Sequence, residues 1–151
     1  MTQAARKEFG QEDAVSAHPA ASHGNVIWPF ATDGVPEGVT SDTVRVICDL
    51  RRRRQDFFGA KLFGDPTWEI LLRLYAAYLD GNRMSISRLT RTSRVALTTV
   101  LRRLGTLEKE GLVTRSEDPF DGRRVFVALS LSGAEAMHRS FAECGNRALV
   151  F

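Results

Sequence analysis

With 151 residues, 43% of them apolar, the chain has room for one domain and a tail, with enough apolar content for a core. No run is long and apolar enough for a membrane span, and the start lacks the apolar centre of a signal peptide. The net charge of +3 is modest, so its distribution matters more than its size.

Residues 1–39 have few large apolar side chains and no sustained period, and Ala, Gly, Ser, Pro and His dominate them. Such a segment buries too little surface to offset its ordering entropy and is expected to be a flexible arm. Within it, Val26-Ile27-Trp28-Pro29-Phe30 is either a docking patch or an idle stretch of linker. His18 and His23 are too isolated to suggest a metal site. The rest of the chain, 40–151, is expected to form one folded unit, with a smaller lobe over 62–131.

The first helix is expected from about Ser41 to Phe58, capped by Ser41 or Asp42, with Val44, Ile47, Leu50 and Phe57/Phe58 as its apolar side. Its run Arg51-Arg52-Arg53-Arg54 spans a full turn, so the four side chains cannot share one partner. They are read as solvated or helix-pairing, with direct phosphate contact as the alternative. Gly59 breaks this helix. Asp65-Pro66-Thr67-Trp68 then starts a second one, because Asp caps free amides and Pro fits the first helical position. Trp68, Leu71, Leu72, Tyr75 and Leu79 form its expected core face, and Asp80-Gly81-Asn82 ends it.

The stretch Met84 to Leu131 carries the functional signal. A short helix and a tight turn precede a longer helix in which Leu97, Val100, Leu101, Leu104 and Leu107 recur at helical steps, implying one apolar stripe against a core. The other face holds Thr98, Thr99, Arg102 and Arg103. Hydroxyl and guanidinium groups on one exposed face suit a helix in the major groove of DNA, and a solvated surface is the bland alternative. After Glu110-Gly111, one strand is expected over Leu112 to Arg115 and another over Val125 to Leu129, with Pro119, Asp121 and Gly122 in the turn and Arg123 and Arg124 directly after it. Basic residues at a hairpin tip are placed to enter a narrow minor groove. Helix, turn, helix and hairpin in this order spell a winged helix-turn-helix, mainly α with a small β-hairpin. The candidate DNA contacts are Ser93, Arg94, Thr98, Thr99, Arg102, Arg103, Arg123 and Arg124. Residues 83–124 hold 10 Lys+Arg against 5 Asp+Glu, while 1–82 hold 9 against 11 and 125–151 hold 2 against 2. The positive excess therefore sits where phosphate contact is expected.

Ser130 or Ser132 can cap a final helix, in which Ala134, Met137, Phe141, Cys144 and Ala148 form a heptad seam. That seam pairs either with the first helix of the same chain or with another subunit. The two cysteines, Cys48 and Cys144, are read as small buried thiols of a reduced, cytosolic protein, with a redox switch as the alternative. No histidine lies near a plausible nucleophile and no metal spacing or phosphate-binding glycine loop occurs, so neither catalysis nor a cofactor is expected.

The run Leu107-Glu108-Lys109-Glu110-Gly111-Leu112-Val113, with Asp118-Pro119, Asp121-Gly122-Arg123, Val127, Leu129-Ser130 and Gly133, resembles the DNA-binding lobe of the multiple-antibiotic-resistance regulator (MarR) family. Leu62 to Leu72 looks like the helix that precedes the helix-turn-helix in short regulators of this type. The resemblance covers about 43–144 and departs at Val95-Ala96-Leu97, where the family has Ser, Arg or similar. It implies a DNA-binding transcriptional regulator, cytoplasmic and nucleoid-associated when bound, in which Arg123 enters the minor groove and Asp121 and Gly122 shape the wing. It also implies a homodimer paired through its terminal helices, with Val44, Ile47, Met137, Phe141 and Cys144 at the interface. Any small-molecule effector stays unassigned. A winged helix that docks other regulators or polymerase is the alternative function.

Overall fold

Burial, more than helix propensity, decides the architecture, and its centre is the helix that follows Asp65. The computed structural model describes residues 34–148, with side chains through residue 143. The expected arm up to residue 33, its Val26 to Phe30 patch, His18 and His23 lie outside the described residues, as do the side chains of Cys144 and Ala148.

Among the described residues the elements follow in the order α1 (Ser41–Phe58), α2 (Ala60–Phe63), α3 (Pro66–Leu79), β1 (Met84–Ser85), α4 (Ile86–Ser93), α5 (Leu97–Lys109), β2 (Val113–Glu117), β3 (Val125–Leu129) and α6 (Leu131–Ala148). The Asp65 carboxylate accepts the Trp68 N–H at 3.1 Å, which starts α3 as its sequence implies. Beyond that cap, α3 is apolar nearly all round. Ile70, Leu72, Leu74, Tyr75, Ala76, Ala77 and Tyr78 are buried, and Trp68, Leu71 and Leu79 pack against them. A helix of that kind is stable only when enclosed, and α1, α4, α5, α6 and β3 enclose it.

α1 is capped one residue earlier than expected, by Thr40, whose hydroxyl accepts the Thr43 N–H at 3.2 Å while Thr43 reciprocates. Its buried line is Val44, Ile47, Cys48 and Arg51. Leu50 (44%), Phe57 (84%) and Phe58 (63%) are exposed, which corrects the expected apolar side. The reason is Arg51. Its guanidinium lies between the helices, with Nε 4.0 Å from a Glu69 oxygen, and Arg73 pairs with the other Glu69 oxygen at 3.0 Å. The inner face of α1 is therefore partly ionic, and helical geometry turns Leu50 outwards. Just before α1, Val35 and Val39 pack on the core at the end of the expected arm.

The sheet is antiparallel with the order β1-β3-β2. Val113 pairs with Leu129 and Glu117 with Val125, so the first hairpin strand runs two residues past its expected end at Arg115. Met84 pairs with Val127, adding a third strand to the expected two. α6 is fastened at its start. Ser130 accepts the Gly133 N–H at 3.0 Å, and Ser130 and Ser132 both donate to the Gly111 carbonyl. Gly133 is required there, because a Cβ would sit 2.0 Å from the Leu112 carbonyl oxygen.

The α6 seam packs inside its own chain. Ala134, Met137 and Phe141 are buried, and the Phe141 ring lies 5.1 Å from Tyr75 of α3. Val44 and Ile47 are likewise in the core of the single chain. Val44, Ile47, Met137 and Phe141 thus have no free surface for a second subunit, contrary to the expectation, because α3 already covers them. His138 is buried between Tyr75 and Tyr78, and the loss of water lowers its pKa. Cys48 is also buried, and desolvation pushes its thiol up to about 12, which leaves it protonated and unreactive at neutral pH.

Candidate nucleic-acid interface

Three elements converge on one side of the molecule: α4, α5 and the loop between β2 and β3. Ser85 caps α4 by accepting the Arg88 N–H at 3.2 Å, and Leu89 anchors the helix in the core. Arg94 ends it in the left-handed conformation (φ 55°), which costs a non-glycine residue about 1–2 kcal/mol and sets the sharp turn into α5. Ser93 does not face solvent. It is buried, its hydroxyl donates to the Thr90 carbonyl at 3.4 Å and accepts the Val95 N–H at 3.4 Å, so its hydrogen bonds close the turn. Ser93 is therefore a turn residue in this structure and not an exposed contact. Arg94 is exposed, but its guanidinium pairs with Asp56 of α1 at 3.4 Å.

α5 presents a different face from the expected one. Val100, Leu104 and Leu107 are buried, while Leu97 (50%) and Leu101 (41%) are exposed. Thr98 and Arg102 lie two residues from Val100 and Leu104, about 200° round the helix, and so point directly outwards. Thr99 and Arg103 are partly buried beside the core line, and the Arg103 Nε has no hydrogen-bond partner among the described residues. The outer face of α5 is thus Leu97, Thr98, Leu101 and Arg102. The expected pairs Thr98/Thr99 and Arg102/Arg103 are each split, with one member out and one half in. Ala96 stands at the N-cap and makes no side-chain capping bond.

The loop is held by its acids. Asp118 N–H donates to Arg124 O (2.9 Å), Asp121 N–H to Asp118 O (3.3 Å) and Arg124 N–H to Asp121 O (2.9 Å). The Asp118 carboxylate accepts the Phe120 N–H at 3.0 Å and the Asp121 carboxylate accepts the Arg123 N–H at 3.1 Å. Asp118 also faces Arg124 at 3.8 Å, and Arg83 and Arg124 lie over the Phe126 ring at 3.9 and 6.0 Å. Arg123 is exposed and has no ion pair among the described residues.

Between the loop, α4 and the start of α5 runs a groove of about 590 Å³, lined by Ile86, Ser87, Thr90, Arg91, Leu97, Asp121, Arg123, Arg124 and Val125. It joins the wing arginines to Arg91, which sequence reasoning missed. The signal was present, since Ser87, Thr90 and Arg91 recur at three- and four-residue steps on α4. Asp118 was also missed as a loop-holding residue, although Asp before Pro is a common way to begin a turn.

The profile of the winged helix DNA-binding domain family matches residues 63–133, which span α3 to the first turn of α6. Residues 63–133 thus resemble a winged helix DNA-binding domain, and the chain is MarR-like in fold. Among solved structures, a cysteine-to-serine mutant of MarR from E. coli is similar, with 20% identity over 76% of this chain and 79% of that one and a TM-score of 0.50. The same mutant complexed with operator DNA gives 20% identity, 71% and 69% coverage and a TM-score of 0.48. MepR from S. aureus in its DNA-binding conformation gives 21% identity, 71% and 77% coverage and a TM-score of 0.49. No curated protein sequence matches the chain. In this winged-helix fold, α5 is the second helix of the helix-turn-helix and the β2–β3 loop is the wing. Among the described residues no helix is long and apolar enough to cross a membrane, and no group of three or more His, Cys, Asp or Glu is placed to hold a metal ion.

Proposed function

We propose that the chain is a sequence-specific transcriptional regulator that binds double-stranded DNA in the cytoplasm as a homodimer. The observation that carries this reading is the groove between α4 and the wing. It gathers Arg91, Arg123 and Arg124 beside the outward face of α5, so cations and hydroxyls lie together along one surface. Arg102 and Thr98 on α5 would read base edges in the major groove, and Leu97 or Leu101 would meet thymine methyl groups. Arg91, with Ser87 and Thr90, would hold phosphate. Arg123 would enter the minor groove, aimed by the hydrogen bond from its own amide to Asp121.

Pairing of two chains would use the exposed stripe of α1. Val46 (57%), Leu50 (44%), Phe57 (84%) and, on α2, Leu62 (74%) leave a run of large apolar surface in solvent. Two copies joined there would present two α5 helices to half-sites about one turn of DNA apart.

Titration of fluorescent duplex DNA with the full-length chain at several salt concentrations tests the reading. Affinity should fall as salt rises, with a log–log slope near −0.9 for each phosphate neutralised, and Arg123→Ala should lose more on A·T-rich flanks than on G·C-rich ones. Absence of binding at low salt would favour a protein-docking module instead.

A further inference from the structure

The exposed surface of α5 carries two rows of side chains. Thr98 and Arg102 form the row that points directly outwards, and Leu97 and Leu101, 50% and 41% exposed, form the row beside it. A single leucine in solvent carries no information, since soluble proteins leave many such residues exposed. These two are placed differently. Leu97 lines the groove together with Arg91, Arg123 and Arg124, and Leu101 follows one turn along the same row. The apolar row thus has the cations of the groove at its start and Arg102 alongside, and it ends at Gly105. A protein pocket that took up the leucines would have to desolvate the neighbouring guanidinium groups as well. A DNA duplex accepts both chemistries. Phosphates and guanine edges take the cations, and the C5 methyl of thymine is the apolar group that a base pair shows in the major groove.

We infer that Leu97 and Leu101 sense the C5 methyl groups of pyrimidines, so that DNA binding responds to cytosine methylation as well as to thymine. The inference rests on the reading of α5 as the helix that enters the major groove. A leucine side chain has no donor or acceptor, so it does not tell the O4 of thymine from the N4 of 5-methylcytosine. It registers only the methyl that both bases carry. The two leucines stand about 6 Å apart along the helix axis, and base pairs stack about 3.4 Å apart, so the two methyls that they meet lie about two base pairs apart.

The test uses the full-length chain and a duplex that it selects from a random-sequence pool. Each thymine in turn is replaced by deoxyuridine, which lacks the methyl, and each T·A pair by a pair of guanine with cytosine or with 5-methylcytosine. Wild type should lose about four-fold in affinity for each contacted methyl that is removed, the scale of one buried methyl group. At the same positions 5-methylcytosine should bind more tightly than cytosine by a similar factor. Leu97→Ala should lose the difference between thymine and uracil at one position and Leu101→Ala at another, while Leu101→Met keeps it and the circular dichroism of all three stays unchanged. A wild-type chain that binds thymine and uracil equally at every position overturns the methyl contact and leaves DNA binding intact. So do alanine variants that both keep the wild-type difference everywhere. Recovery of no duplex from the pool overturns DNA binding itself, and the methyl contact with it.

Discussion

The contact between α1 and α3 and the wing are both built from arginine and acidic residues, yet they put them to opposite ends. In the first, Arg51 and Arg73 converge on Glu69, and the side chains are 6%, 15% and 9% exposed. The acid is turned on the cations, so one of the two positive charges is offset inside the fold. In the wing, the acids are turned on backbone amides at positions 120 and 123, and Arg123 is left to face outwards. The difference teaches that an arginine's role is set by what its neighbouring carboxylate is bonded to. Neither the number of arginines nor their density along the chain reveals it.

The largest expected effect breaks the buried half of that contrast. Glu69→Ala would leave Arg51 and Arg73 as uncompensated cations in a site of low dielectric, and should destabilise the fold by about 3–5 kcal/mol in urea unfolding. The Arg51 Nε already lacks a hydrogen-bond partner among the described residues. A cost under about 1 kcal/mol would mean that water reaches the cluster, and that the two regions differ less than their burial implies.

The exposed half can be sharpened on α5. Arg102→Ala should leave stability within about 0.5 kcal/mol of wild type and cost about 1–3 kcal/mol of DNA affinity at one base position. Arg103→Ala should behave differently. Its stem is partly buried beside Leu104, so part of its loss should appear in the unfolding midpoint and not in DNA affinity. Equal partition of both substitutions between stability and binding would remove the distinction drawn between the outward and the half-buried arginine.

What could be read from the sequence follows the range of the interactions involved. The start of α3 was legible because Asp65 and Pro66 act within one turn, and the wing was legible because its bonds join residues no more than six apart. The rotation of α5 was not. Leu97, Val100, Leu101, Leu104 and Leu107 span an arc wider than one contact needs, and only the position of α3 decides that Leu97 and Leu101 fall outside it. The burial of Arg51 was hidden for the same reason, since its partner Glu69 lies 18 residues away on another helix. β1 is two residues long and exists only through its pairing with β3, so no local pattern announces it.

The smallest effect concerns a contact between α1 and the turn from α4 to α5. Asp56, in the last turn of α1, pairs with Arg94 at the helix-turn-helix turn, 3.4 Å apart with both side chains more than half exposed. A pair so solvated contributes roughly 0.2–1 kcal/mol, so Asp56→Asn should scarcely change stability. Its effect on DNA binding should be opposite in sign to that of the arginine substitutions. With Asp56 neutral, Arg94 no longer divides its charge between an internal acid and an external phosphate. Affinity should then rise by up to about five-fold, and the salt slope should steepen by about 0.9 if Arg94 gains one phosphate. Arg94→Ala in the Asp56→Asn background should cancel the gain, because the carboxylate acts only through that guanidinium. If Asp56→Asn tightens binding equally with Arg94 present or absent, the change reflects net charge alone, and α1 has no specific hold on the DNA-facing turn.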